Sequence, residues 1–206
     1  MYKPNICYIY GAGEHFAPPA VVLPGDYIIA ADGGCDYLEM YGITPDLAIG
    51  DFDSCETSLR GRQTIMLPIE KDNTDMAEAL RVGFGNGFRV FHIYGGVGGR
   101  IEHPLANIQL LAELASKGAR GFLHDRGNVI TAIKNAEISF NSNAAGYVSV
   151  FAHSDAARGV YEKGLKYALD NAVLLNTNPL GISNEFIGLP SSISVDDGTL
   201  VVVYKQ

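Results

Sequence analysis

Short apolar runs in the first half of this chain each stop on glycine or aspartate. Ile6–Tyr10 stops at Gly11-Ala12-Gly13, and Tyr27–Ala31 at Asp32-Gly33-Gly34. Leu47–Ile49 stops at Gly50-Asp51-Phe52-Asp53, and Arg89–Tyr94 at Gly95-Gly96-Val97-Gly98-Gly99. Runs of this length bounded by turn residues predict strands. Thr64–Leu67 and Gly121–His124 predict two more. Helical segments alternate with them. Cys35–Tyr41 predicts a short helix closed by Gly42, and Met76, Leu80 and Phe84 recur at helical spacing before Gly85. Asn73, Thr74 or Asp75 is placed to cap that helix, and Asp75 with Glu78 fits a capping box. A third stripe, Leu105, Ile108, Leu111, Ala112 and Ala115, begins near His103 with Pro104 suited to its first position.

Strand and helix in alternation call for a mostly parallel sheet with helices on both faces. Ligands of such sheets bind beyond the carboxyl ends of the strands. Each glycine or acid cluster above falls at such an end, so the clusters converge on one candidate site.

In an extended segment Asp51 and Asp53 project the same way. Side-by-side carboxylates repel unless a cation lies between them, and Mg2+ favours oxygen ligands of this kind. The plainer alternative is an acidic loop that caps a helix. Asp72 and Asp75 form a second acidic cluster, and Asp32 stands at a neighbouring strand end. A Mg2+ ion carrying a polyphosphate would resolve their repulsion. The glycines at 95–99 lead through Arg100 to a helix start, where backbone N–H groups and a guanidinium suit phosphate. This is not a P-loop, because no Gly-Lys-Ser/Thr follows. Gly11-Ala12-Gly13 is not a dinucleotide fingerprint, because Phe16 stands where the third glycine belongs. A tight turn alone would also account for either cluster.

After Asp125 the pattern changes. Val129–Ile133, Ile138–Phe140, Val148–Phe151, Val173–Leu175 and Leu200–Tyr204 are strand-like runs between polar turns. The chain therefore divides at 1–125, an α/β domain, and 126–206, a small all-β domain, sandwich or barrel-like. So small a β domain buries a modest core, which favours homodimerisation. Within it Tyr167 offers a flat ring, and Ser183 and Asn184 offer hydrogen bonds. From the residues alone, a packed tyrosine and a polar turn is the stronger reading of these.

Charge narrows the function classes. A formal net charge of −8 argues against a general nucleic-acid or anionic-membrane binder. No apolar run approaches bilayer length, and the N-terminus reads as a first strand, not a signal peptide. Cys7, Cys35 and Cys55 are far apart and the histidines are scattered, so no zinc site is expected. Reduced thiols fit a cytoplasmic protein.

Taken in order, ADGG (31–34), PDLAIGDFDS (45–54), KDNTDMAEAL (71–80), GGVGGRIEH (95–103), GLKY (164–167) and ISNEF (182–186) resemble the thiamine pyrophosphokinase family over nearly the whole chain. The resemblance implies an α/β ATP-binding catalytic domain and a β-sandwich that binds thiamine and dimerises. It implies diphosphate transfer from ATP to the thiamine hydroxyl, with AMP released. Asp51, Asp53 and Asp75 match the acids around Mg2+ and the phosphates, and with Arg100 form the implied catalytic set. Asp32, Gly33, Asp72, Thr74, Gly98, Arg100 and His103 fall on the ATP side. Tyr167, Ser183 and Asn184 fall on the thiamine side, at the subunit interface of the implied homodimer. Where the family has Leu-Asp-His this chain has Ile101-Glu102-His103, and Pro104 replaces Thr. The alternatives are a haloacid-dehalogenase-like phosphatase using Asp51, and a non-catalytic nucleotide or thiamine sensor.

Overall fold

The structure is a computed structural model and describes residues 4–50, 63–67 and 73–206. The chain forms two compact units. One takes the chain up to Asn107 together with Gly121–Arg126, and the other takes Ile108–Arg120 with Gly127–Gln206.

The first unit contains strands Ile6–Tyr10 (β1), Tyr27–Ala31 (β2), Leu47–Gly50 (β3), Thr64–Met66 (β4), Val90–Tyr94 (β5) and Arg120–Asp125 (β6). They lie in the order β6-β5-β1-β2-β3-β4. The β1–β2, β1–β5, β2–β3 and β3–β4 pairs are parallel, as the alternation of strands and helices requires. Its helices are Gly34–Met40 (α1), Asp75–Gly85 (α2) and the start of Glu102–Ser116 (α3), whose residues from Ile108 on belong to the second unit.

Side chains of β1 alternate between two covered faces. Ile6, Tyr8 and Tyr10 gather with Ile28, Ala30 and Ala48 under Cys35 and Leu38 of α1. Cys7 points to the other face. There a Cβ on Gly83 of α2 would stand 2.8 Å from the Phe91 ring and 3.0 Å from the Cys7 sulfur. Helices therefore cover both faces, and burial of Cys7 pushes its thiol pKa up to about 12.

Of the three candidate caps, Thr74 serves α2: its Oγ1 accepts from the Ala77 N–H at 3.1 Å. Two local expectations are corrected. Glu78 closes no capping box and instead accepts from Arg81 Nε at 2.8 Å. Helix α3 begins at Glu102, so Pro104 is its third residue, not its first. The first four helical N–H groups have no carbonyl partner within the helix, so proline is tolerated there too.

The second unit contains Asn128–Lys134 (β7), Glu137–Phe140 (β8), Tyr147–Ala152 (β9), Ala156–Lys163 (β10), Leu169–Leu175 (β11), Gly181–Glu185 (β12), Ser191–Asp197 (β13) and Thr199–Lys205 (β14). β12-β9-β14-β7 run side by side, and β11-β10-β13-β8 form a separate sheet. The paired strands of this unit are antiparallel. Val148, Val150, Leu200 and Val202 from the first set pack with Val160, Leu174, Ile193 and Val195 from the second. That shared interior is the expected sandwich.

Strands β10, β12 and β13 do not stand out in the sequence. In β10 the period is broken at Gly159, where φ is +61° and the pairing with β11 shifts register. In β13 the buried positions are Ser191, Ile193 and Val195, and serines on both faces hide the alternation.

Candidate active site

Register aligns the strand ends of the first unit. Tyr10 pairs with Ala30 on one side and Tyr94 on the other, and Ala31 pairs with Ile49. The carboxyl ends of β1, β2, β3 and β5 therefore lie at one edge of the sheet. A cleft of about 310 Å³ opens there, lined by residues 11–13, 31–32, 74–76, 95–100, 103 and 107.

Two glycine turns build its floor by extending the β1–β5 pairing past the strands. Gly11 N–H donates to Tyr94 O at 2.8 Å, Gly13 N–H to Gly95 O at 2.8 Å, and Glu14 N–H to Val97 O at 3.0 Å. The approach is too close for a side chain: a Cβ on Gly13 would lie 2.4 Å from Val97 O. Gly95 is left-handed, with φ +62°, and a Cβ there would strike His15 Nε2 at 2.5 Å. These contacts explain why the sequence places glycine at both turns.

Two side chains that the sequence did not single out hold this floor. Buried Asn107 on α3 donates from Nδ2 to Gly96 O at 2.6 Å. His15 lies 2.9 Å from Gly11 O through Nε2. A carbonyl only accepts, so the ring carries its proton on Nε2. Burial lowers the His15 pKa, and the bond to Gly11 partly restores it. Its ring stacks on Tyr37 with centroids 3.6 Å apart. Asn107 carried a signal, since it lies one turn beyond His103 on the same helix face. His15 sits in a loop and carried none.

Of the ATP-side residues expected from the sequence, Asp32, Thr74, Asp75, Gly98, Arg100 and His103 line the cleft. Asp32 takes a left-handed backbone, φ +51°, and its N–H donates to Ile49 O at 2.7 Å. Asp75 opens α2. Thr74 is occupied as acceptor by its cap bond, while its O–H remains a donor. Gly33 does not line the cleft and serves as the N-cap of α1. Arg100 is exposed and donates from Nε to Glu102 Oε1 at 2.6 Å. The Glu102 carboxyl is held below its usual pKa, first by its own backbone N–H and then by Arg100. Asp51, Asp53 and Asp72 lie outside the described residues. Among the described residues no group of three or more His, Cys, Asp or Glu side chains is gathered for a metal.

The thiamine-side residues lie in the second unit. The Tyr167 side chain is exposed. Ser183 is exposed with φ +59°, and its N–H donates to Ser149 Oγ at 3.0 Å. Asn184 differs from expectation, because it is buried and its amide is spent internally. Nδ2 donates to Glu162 Oε2 and to Tyr167 O, each at 2.6 Å. Its Oδ1 accepts from the N–H groups of Tyr167 and Glu185, each at 2.9 Å. The Glu162 carboxyl is 1% exposed, and burial raises its pKa.

A glycine-floored cleft at the carboxyl edge of a parallel sheet, with carboxylates and an arginine at its rim, defines an α/β phosphate-binding protein; here it is joined to a β-sandwich. Comparison with known proteins narrows this. The family model described as thiamin pyrophosphokinase, catalytic domain, matches residues 22–123, and that described as its vitamin B1 binding domain matches 135–200. The chain is 31% identical over 182 residues to thiamine pyrophosphokinase of Bacillus subtilis (strain 168), covering 85% of each. A crystal structure of thiamine pyrophosphokinase from Bacillus subtilis superposes with a TM-score of 0.86 at 27% identity, over 98% of this chain and 99% of that one. The thiamin pyrophosphokinase of Geobacillus thermodenitrificans gives 0.84 at 26% identity, over 98% and 97%. This chain belongs to the thiamin pyrophosphokinase family.

Proposed function

We propose that the protein transfers the diphosphate unit of ATP to the hydroxyl of thiamine, giving thiamine diphosphate and AMP, in a Mg2+-dependent reaction. The observation that carries this reading is the cleft, where a glycine floor, Arg100 and two carboxylates meet in a chain of this family.

The glycine-rich backbone at 96–99 lines the cleft and would offer amide dipoles to a phosphate chain, with Arg100 supplying the positive charge. Arg100 must first leave Glu102. Both side chains are exposed, so water screens their attraction and the exchange is easy. The bidentate guanidinium can then hold phosphate oxygens as charge moves toward the AMP leaving group. His103, at the start of α3, offers a further donor to the phosphates.

The donor set fits a magnesium ion, which takes one or two carboxylates and completes its shell with phosphate oxygens and water. Asp75 would hold it with Asp51 and Asp53, and Asp32 lies on the same cleft. Bound there, the ion would neutralise charge on the phosphate oxygens. On the acceptor side Tyr167 and Ser183 would contact thiamine, with Asn184 supporting Tyr167 from below. Transfer of this kind depends on holding the hydroxyl in line with the scissile P–O bond, and these residues serve mainly to position it.

The active form in this reading is a homodimer with thiamine at the subunit interface. Exposed Tyr147 and Phe151 on β9 support an apolar contact there. A cytoplasmic setting agrees with Cys7 and Cys35, whose thiols are buried. Among the described residues no helix is long and apolar enough to cross a membrane.

A coupled assay for AMP tests the reaction. AMP should form only when ATP, thiamine and a divalent cation are all present. Asp75→Asn should lower kcat about 100-fold or more while the fold persists. AMP release without thiamine, or full activity in chelator, would refute the proposal.

A further inference from the structure

Glu162 lies at an unusual place for a carboxyl group. On β10 it pairs with Leu169 of β11 and Ile193 of β13, in the sandwich interior, and is 1% exposed. Oε2 accepts from Asn184 Nδ2 at 2.6 Å, while Oε1 has no hydrogen-bond partner among the described residues. Burying a carboxyl with half its capacity unused opposes folding, and an apolar side chain of similar size would pack there at less cost. Stability does not explain the residue, so what it holds becomes the question.

It holds one amide. Asn184 has two N–H donors, and Glu162 takes one. The other goes to Tyr167 O, while Asn184 Oδ1 accepts from Tyr167 N–H. The amide thus grips the Tyr167 backbone at both its donor and its acceptor. The grip needs the Asn184 plane in one orientation, with Nδ2 toward Tyr167 O and Oδ1 toward Tyr167 N–H. Glu162 reinforces that orientation, because its Oε2 accepts the Nδ2 proton that Tyr167 O does not take. The ring carried by this clamped backbone is 59% exposed.

We infer that Glu162 is a positioning residue for thiamine, acting through Asn184 to fix the exposed Tyr167 ring. The inference rests on the reading of Tyr167 as part of the acceptor side. Loss of the acceptor leaves one buried Nδ2 proton unpaired and weakens the hold of the amide on the 164–167 turn. The acceptor substrate should feel this, and ATP, bound in the first unit, should not.

Glu162→Leu, Glu162→Asp and Glu162→Gln separate the possibilities, with both KM values and kcat measured on the full chain. Leu removes the acceptor, and Asp withdraws it by one methylene. Gln keeps an oxygen for Asn184 Nδ2. Glu162→Leu should raise the thiamine KM about tenfold, the usual consequence of unpairing a buried polar group. Glu162→Asp should raise it about threefold, and Glu162→Gln should stay within about twofold of the parent, since one hydrogen bond is weakened or retained respectively. The ATP KM should stay within about twofold in all three. Adding Tyr167→Ala to Glu162→Leu should raise the thiamine KM no further than Tyr167→Ala alone, because the two act as one unit. If Glu162→Leu does not fold, Glu162→Asp against Glu162→Gln decides. A thiamine KM at the parent value in the folded variants overturns the inference, as does an equal rise in both KM values. If the parent protein forms no thiamine-dependent AMP, the functional reading fails instead.

Discussion

His15 does three things with one ring. It bonds to Gly11, covers Gly95 and stacks on Tyr37, and all three contacts brace the floor of the phosphate cleft. Because burial lowers its pKa from 6.5, its protonated form is disfavoured in the folded state. Below that pH the unfolded chain takes up a proton that the folded ring resists. The contribution of His15 is therefore complete above its unfolded value and declines as the pH falls through it. Between about pH 7.5 and 5.5 the urea midpoint of the parent should fall more steeply than that of His15→Gln, which keeps a donor but does not titrate. Equal slopes would show that His15 does not supply this dependence. None of this was legible in the sequence, where His15 is a polar residue in a proline-containing loop. Its importance comes from Gly95, which is 80 residues later and reaches it only through the β1–β5 pairing.

Helix α2 shows how an element can serve the site by how it begins. Its first turn carries both the cap, Thr74, and the acid, Asp75, so a loss of capping would also disturb the acid's position. Thr74→Ala should cost about 1 kcal/mol. In a chain of this size that lowers Tm by about 2–4 °C. Thr74→Ser should restore it, as thermal unfolding followed by circular dichroism would show, and no loss in Thr74→Ala would remove the cap from the account. The first unit's strands and helices were readable to within a residue or two, because apolar runs and stripes ended on glycine. In the second unit Val148–Phe151 and Leu200–Tyr204 were readable for the same reason. Strands β10, β12 and β13 were not, because their inward positions carry Glu162, Asn184 and Ser191, and polar side chains facing inward erase the pattern by which strands are read.

For the molecule as a whole, the homodimer is the prediction to test. Tyr147 and Phe151 lie four residues apart on β9 and are exposed. Exposed aromatic rings on a sheet face suit the centre of an interface. Sedimentation equilibrium at micromolar concentration should return twice the mass of the 22.1 kDa chain. Phe151→Glu should shift it to monomer with the fold retained, and a parent that sediments as monomer would refute the dimer. The α/β class and the strand ends were legible along the chain because turn residues and hydrophobic periods are local, and the family was legible in short motifs such as ADGG and GGVGGRIEH. Which polar residues face a ligand was not local. Thr74 divides its hydroxyl between a helix cap and the cleft, Asn184 lies under Tyr167, and His15 braces the cleft floor from a loop. Those outcomes depend on burial and on register between strands far apart in sequence, and only the packed chain settles them.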